Sequence, residues 1–95
     1  MTSAQSWDLC RSFLAVAEAG SFTAAARRLA TTQPTVGRHV AALEEALGAS
    51  LFTRSSRGIV LTAVGQDLKR HIDVMSAAAA AAERGAHGAK ATPAR

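Results

Sequence analysis

Two stretches of this chain lack acidic residues and carry arginines, and the chemistry they offer is recognition of a polyanion. No Asp or Glu stands between Ala19 and Leu43, a window that holds Arg27, Arg28 and Arg38. None stands between Ala46 and Gln66 either, where Arg54 and Arg57 lie. The side chains that precede Arg38 suit the reading of nucleic acid. Gln33 has the amide that matches adenine, and Arg38 the guanidinium that matches guanine. Thr32 and Thr35 carry small hydroxyls that satisfy phosphates. His39 is a further candidate for a phosphate or base. A formal net charge of +4 and a pI near 10.7 agree with such a partner.

Catalysis and metal binding find no support. His39, His71 and His87 fall on three different segments without metal-ligand spacing. Cys10, the one cysteine, flanks the apolar stripe of Leu9, Phe13, Val16 and Ala17 and reads as a small buried hydrophobe. Glu44-Glu45 reads as ordinary helix-surface acidity. No enzyme activity, cofactor or metal is expected.

The elements that position the basic residues follow from periodicity. Leu9, Phe13, Val16 and Ala17 recur at helical spacing from Trp7 to Ala19, and Gly20 ends that helix. Ser21 or Thr23 caps a short second helix whose inner face is Phe22, Ala25, Ala26 and Leu29. Thr32 caps a third, with Pro34 in the first turn, where its missing N–H costs nothing. Val36, Val40, Leu43 and Leu47 form its inward stripe, and Thr35, Arg38 and His39 lie opposite. Two helices joined by a short turn, the second exposing these polar groups, make a helix-turn-helix.

The period then changes. Leu51–Thr53 and Ile59–Leu61 flank a polar segment, Arg54 to Gly58, and predict a hairpin, or wing, with Arg54 and Arg57 at its tip. Thr62 caps a fourth helix with the stripe Val64, Leu68, Ile72, Met75 and Ala79, a spacing suited to a two-helix seam. Left unpaired, its far part would expose an apolar strip, so Leu68, Ile72, Met75 and Ala79 are read as a homodimer surface. The fold class is therefore mainly α: a winged helix-turn-helix, with a three-helix core and two-stranded wing, followed by a long dimerisation helix. The expected boundaries are 1–62 for the winged helix-turn-helix, 63–84 for the linker helix and 85–95 for a flexible tail or interdomain linker.

Taken together, these pieces resemble the DNA-binding region of LysR-type transcriptional regulators. The residues that carry the resemblance begin with Phe13-Leu14-Ala15-Val16-Ala17-Glu18-Ala19-Gly20-Ser21-Phe22-Thr23, then Ala25-Ala26 with Arg28-Leu29. Gln33-Pro34, Arg38 and Leu43-Glu44-Glu45-Ala46-Leu47-Gly48 follow. Leu51-Phe52-Thr53-Arg54, Arg57-Gly58, Leu61-Thr62 and Gly65 complete the series. The resemblance implies a bacterial transcription factor that binds an inverted-repeat, double-stranded operator as a dimer. It implies major-groove contacts by Gln33, Pro34 and Arg38, with Thr32 and Thr35 at neighbouring contact positions and Arg54 and Arg57 on the wing. It also implies an effector-binding C-terminal domain, expected to be absent here, through which alone a small molecule would act. One departure stands out: Gly37 occupies a place where the family mostly has Ser or Thr, so a hydroxyl contact is lost. A helical glycine also costs about 1 kcal/mol relative to alanine.

Two other functional classes fit the sequence less well. A helical module that binds a protein partner through 64–82 would leave the placement of the acid-free windows without a reason. Single-strand or RNA binding would need a stacking platform, and the four aromatics Trp7, Phe13, Phe22 and Phe52 are too few once core positions are filled. Composition limits the rest. Hydrophobic residues make up 48% of 95, but 23 are alanine, so the core is modest and a second copy would help it. No apolar run suits a membrane span, and Met1 to Ser6 does not look like a secretory signal. A cytoplasmic, nucleoid-associated protein is expected.

Overall fold

The computed structural model describes the backbone of residues 3–91 and side-chain surroundings over 6–85. Its order is α1 (Ser3–Ala19), α2 (Phe22–Arg28), α3 (Gln33–Leu47), β1 (Phe52–Ser55), β2 (Gly58–Leu61) and α4 (Ala63–Ala91). The three-helix body, the two-stranded wing and the long final helix are those expected.

Alanines let the first three helices meet closely. Ala15, Val16, Ala25, Ala26, Val36 and Val40 form one buried cluster at the crossing of α1, α2 and α3. A second cluster, Phe13, Leu51 and Ile72, joins α1 to the wing base and α4. Phe52 packs against both. Its ring lies 5.3 Å from that of Phe13 and 6.2 Å from that of Phe22, edge-on to the latter. Aromatic pairs in such tilted geometry add about 0.5–1.5 kcal/mol beyond area burial. One strand residue thus ties the wing to the helical body.

Local chemistry sets the joints. Ser21 accepts the Ala24 N–H at 3.0 Å and is the cap of α2; Thr23 lies inside that helix. The connection to α3 closes as a Schellman turn: Thr31 N–H donates to the Ala26 carbonyl and Ala30 N–H to that of Arg27. Ala30 takes the left-handed position there, with φ of 56°, a conformation that glycine occupies at lower cost. Thr32 caps α3, accepting the Thr35 N–H at 3.3 Å. Thr62 has two roles at the start of α4: it accepts the Gly65 N–H at 3.0 Å and donates to the Ser50 carbonyl at 2.6 Å.

Several expectations need correction. Helix α1 begins at Ser3, a turn before Trp7. Leu47, assigned to the inward stripe of α3, is 48% exposed. The chain reverses at Gly48, and Leu51, 0% exposed, returns to the core in its place. The wing has a shorter turn than expected. Ser55 pairs with Gly58, leaving Ser56 and Arg57 alone between the strands. Arg54 is therefore a strand residue opposite Ile59, and only Arg57 sits at the tip. The aperiodic segment from Gly85, expected as a tail, continues as helix to Ala91. Alanine has the highest helix propensity and offsets Gly85 and Gly88 there; residues 92–95 of that expected tail lie outside the described residues.

The largest correction concerns α4. Ile72, assigned to a dimer surface, is 1% exposed and packs on Phe13 and Leu51 of its own chain, with Leu68 half-buried beside it. About three turns of helix, from Ala63 to Ile72, lie over the body before α4 leaves it. Met75 and Ala79 are exposed, and so is Val74, which the stripe did not include.

Candidate nucleic-acid interface

The N-terminal turn of α3 is presented to solvent because the short turn before it leaves nothing packed above it. Thr32, Gln33 and Pro34 are exposed, Thr35 is half-buried, and Arg38 is exposed one turn further on. Between α3 and the wing runs an open groove of about 530 Å³. Gln33, Pro34 and Gly37 line one wall, Arg54 lines the other, and Phe52 and Ile59 are also among its lining residues. Arg54 reaches this groove because alternate residues of a strand share a face, and Phe52, two residues earlier, faces the core. Gly37 leaves the groove wide: a Cβ built on it would meet nothing within 4 Å.

Charge in this region is largely uncompensated. Among the described residues, acids pair with Arg11, Arg28, Lys69 and Arg70. Arg27, Arg38, Arg54 and Arg57 have no such partner. Arg28 corrects a sequence-based inference: its guanidinium lies 3.3 Å from Glu18, which falls just outside the acid-free window in sequence but beside it in space. An exposed pair of this kind is worth only about 0–1 kcal/mol. It nonetheless leaves Arg27 as the uncompensated cation of α2. Arg57 is fixed at the wing tip by its backbone, whose N–H donates to Ser55 Oγ at 3.2 Å.

His39 is placed differently from Gln33 and Arg38. Its Nδ1 lies 2.6 Å from the hydroxyl of Ser12, a buried residue of α1, so one ring nitrogen is engaged inside the fold. Ser12 was missed in the sequence; its position three residues after Leu9 and four before Val16, on the buried stripe, was the available signal. Glu44 is not the plain surface acidity that its sequence suggests. Its Oε2 accepts the Leu51 backbone N–H at 2.9 Å, holding the segment that leads into the wing. Burial pushes the Cys10 thiol above its ordinary value, which favours the neutral, unreactive form. No cluster of metal-ligating side chains occurs among the described residues.

A family model described as "bacterial regulatory helix-turn-helix protein, lysR family" matches residues 7–66. The chain belongs to the LysR family. Its curated relatives are transcriptional regulators. ClcR of Pseudomonas putida is 48% identical over 68 residues, 67% of this chain and 23% of that protein. BbuR of Bordetella bronchiseptica is 52% identical over 58 residues, 61% of this chain and 18% of that protein. The LysR-type chain thus spans about a quarter or less of the length of these relatives. Among solved structures, the DNA complex of the CbnR DNA-binding domain is 39% identical, with a TM-score of 0.73 over 87% of this chain and 97% of that one. The BenM DNA-binding domain bound to catB site 1 DNA is 34% identical, with a TM-score of 0.75 over 86% of this chain and 93% of that one. The winged helix-turn-helix of this LysR-type chain is the part that it shares with the DNA-binding domains of CbnR and BenM.

Proposed function

We propose that this domain reads a specific double-stranded operator as a homodimer, with α3 in the major groove and the wing on the flanking backbone or minor groove. The observation that carries the reading is the grouping of Gln33, Pro34 and Arg54 around one open groove, with unpaired Arg38 and Arg57 on the same two elements. The N-terminal turn of a helix offers free N–H groups and a positive dipole end to phosphates, which suits the exposed hydroxyl of Thr32. Gln33 and Arg38 supply base readout, and Pro34 shapes the turn against the groove wall. Arg54 and Arg57 neutralise flanking phosphates or enter the minor groove. His39, with one nitrogen held by Ser12, keeps only the other for a phosphate. The DNA complexes of the CbnR and BenM domains support the DNA partner by likeness.

A dimer follows from the far part of α4. Val74 is 68% exposed and Met75 48%, and alanines continue the strip through Ala79. A second copy packed antiparallel on this strip would bury it, and its twofold axis requires an inverted-repeat site. Leu68 and Ile72 support that surface from beneath rather than forming it. In the parent regulator a small-molecule effector would act through a further domain. A cytoplasmic location on the nucleoid suits the partner; none of the described helices is long and apolar enough to cross a membrane.

Binding to a randomised duplex pool at two salt concentrations, with sequencing of the bound fraction, tests the reading. Enrichment of a palindromic site with steep salt dependence is expected. In the same assay Arg38→Ala should cost about 1–3 kcal/mol and flatten the preference at one base pair per half-site. Absence of binding at low salt would overturn the reading in favour of a partner-binding helix.

A further inference from the structure

Thr32, Thr35 and Arg38 follow one another at intervals of three residues and so lie above each other on one face of α3. Their polar atoms form a continuous run. Arg38 Nη2 donates to Thr35 Oγ1 at 3.2 Å. The hydroxyl oxygens of Thr35 and Thr32 are 2.9 Å apart. Thr32 Oγ1 in turn accepts the Thr35 backbone N–H, the bond that caps the helix. A guanidinium has donors only, so Thr35 Oγ1 is the acceptor in its bond with Arg38. The cation polarises that hydroxyl and makes its proton the better donor, and Thr32 Oγ1 keeps a lone pair beyond the one the cap occupies. The run therefore points from Arg38 through Thr35 to Thr32, and the Thr32 O–H remains free to donate outward.

Exposure separates the three residues. Thr32 and Arg38 are exposed, whereas Thr35 is half-buried and set back between them. A set-back hydroxyl already engaged on both sides is poorly placed to reach a phosphate, and well placed to hold the side chain beside it. Arginine has four side-chain torsions, and an unrestrained guanidinium loses their freedom when it docks on a base edge. Holding it before docking lowers that cost.

We propose that Thr35 is a positioning residue for Arg38: its hydroxyl holds the guanidinium in the orientation that meets the base, and Thr35 itself does not contact DNA. This rests on the reading of Arg38 as a base contact. Sequence alone gives Thr35 and Thr32 the same role, as two hydroxyls near phosphates. The hydrogen bonds separate them, leaving the phosphate contact to Thr32 and giving Thr35 a part in specificity.

The test compares base-preference profiles from duplex selection for the unmodified chain, Thr35→Val, Thr35→Ser, Arg38→Ala and Thr35→Val/Arg38→Ala. Thr35→Val keeps the branched shape and the backbone N–H of the cap but removes the hydroxyl. It should weaken the preferred base at the Arg38 position by about 2- to 10-fold, the range of one hydrogen bond, and leave the other positions alone. Thr35→Ser should restore the preference. The double variant should match Arg38→Ala in both affinity and profile. If Thr35→Val weakens binding by the same factor with and without Arg38, or flattens a different position, Thr35 touches DNA directly and the inference is overturned alone. If Arg38→Ala flattens no position, the assignment of Arg38 falls, and the role of Thr35 falls with it.

Discussion

The two halves of α4 are made from one apolar stripe and do different work. From Ala63 to Ile72 the helix is fastened to the body: Gly65 is buried, Leu68 packs on the second cluster, and Ile72 fills it beside Phe13 and Leu51. From Val74 onward the same kind of side chain stands in solvent. The stripe continues across this change without a break in spacing, so periodicity alone does not show where a helix stops serving its own core. The boundary is set by the reach of the body beneath it, which ends where Phe13 and Leu51 end.

Four measurements break or sharpen this contrast. The largest effect belongs to Gly65→Ala. A Cβ there would lie 2.2 Å from the Leu51 carbonyl oxygen and 2.9 Å from Leu61 Cδ2, and the backbone oxygen cannot swing away as a side chain can. The loss should reach or exceed the top of the usual overpacking range of about 1–3 kcal/mol, read as a fall in the thermal midpoint. An unchanged midpoint would mean that α4 does not sit tightly on the wing base.

Ile72→Ala should come next, at about 2–5 kcal/mol, because it opens a cavity between Phe13 and Leu51. Denaturant unfolding would register it at any protein concentration. Met75→Lys should behave in the opposite way. Its cost to the body should stay within about 0.5 kcal/mol, while self-association measured by sedimentation should weaken by about ten-fold or more. Equal effects of these two substitutions on stability would erase the distinction between the halves. The smallest effect is one of pH. Cys10 packs against the same cluster as Ile72, and burial raises its thiol above the ordinary value of 9.0. Below that value both folded and unfolded chains hold the proton, and no penalty arises. Above it the unfolded chain releases the proton first, so stability should decline as pH rises past about 9. Cys10→Ala should lack that component of the decline.

How much of this was legible in the sequence depends on the kind of interaction. The helices, the turn and the wing follow from periodicity and capping, and Thr32, Gly48 and Thr62 stand where such residues end or begin a helix. The acid-free windows located the basic surface, yet Glu18 neutralises Arg28 from across the α1–α2 turn. Glu44 on the Leu51 N–H and Ser12 on His39 were hidden for the same reason: a polar side chain announces neither its partner nor its burial when the partner lies on another element. The burial of Ile72 is not legible because helical phase records which face a residue occupies, and not how far the neighbouring surface extends. Arg54 looks like a loop residue in the sequence because polar residues at a strand end resemble turn residues until the register is known.

The contact of Gly65 with the Leu51 carbonyl has a mechanical side. With no side chain between them, helix and wing base meet backbone to backbone, and the Thr62 hydroxyl adds a bond to the Ser50 carbonyl across the same joint. Such a joint has little slack. The 29 residues of α4 extend from it at about 1.5 Å each. A small swing of the helix about that pivot becomes a large arc at Ala91, and a displacement imposed there returns to the wing and α3 reduced in size but undiminished in angle. The helix is a lever mounted directly on the base of the wing.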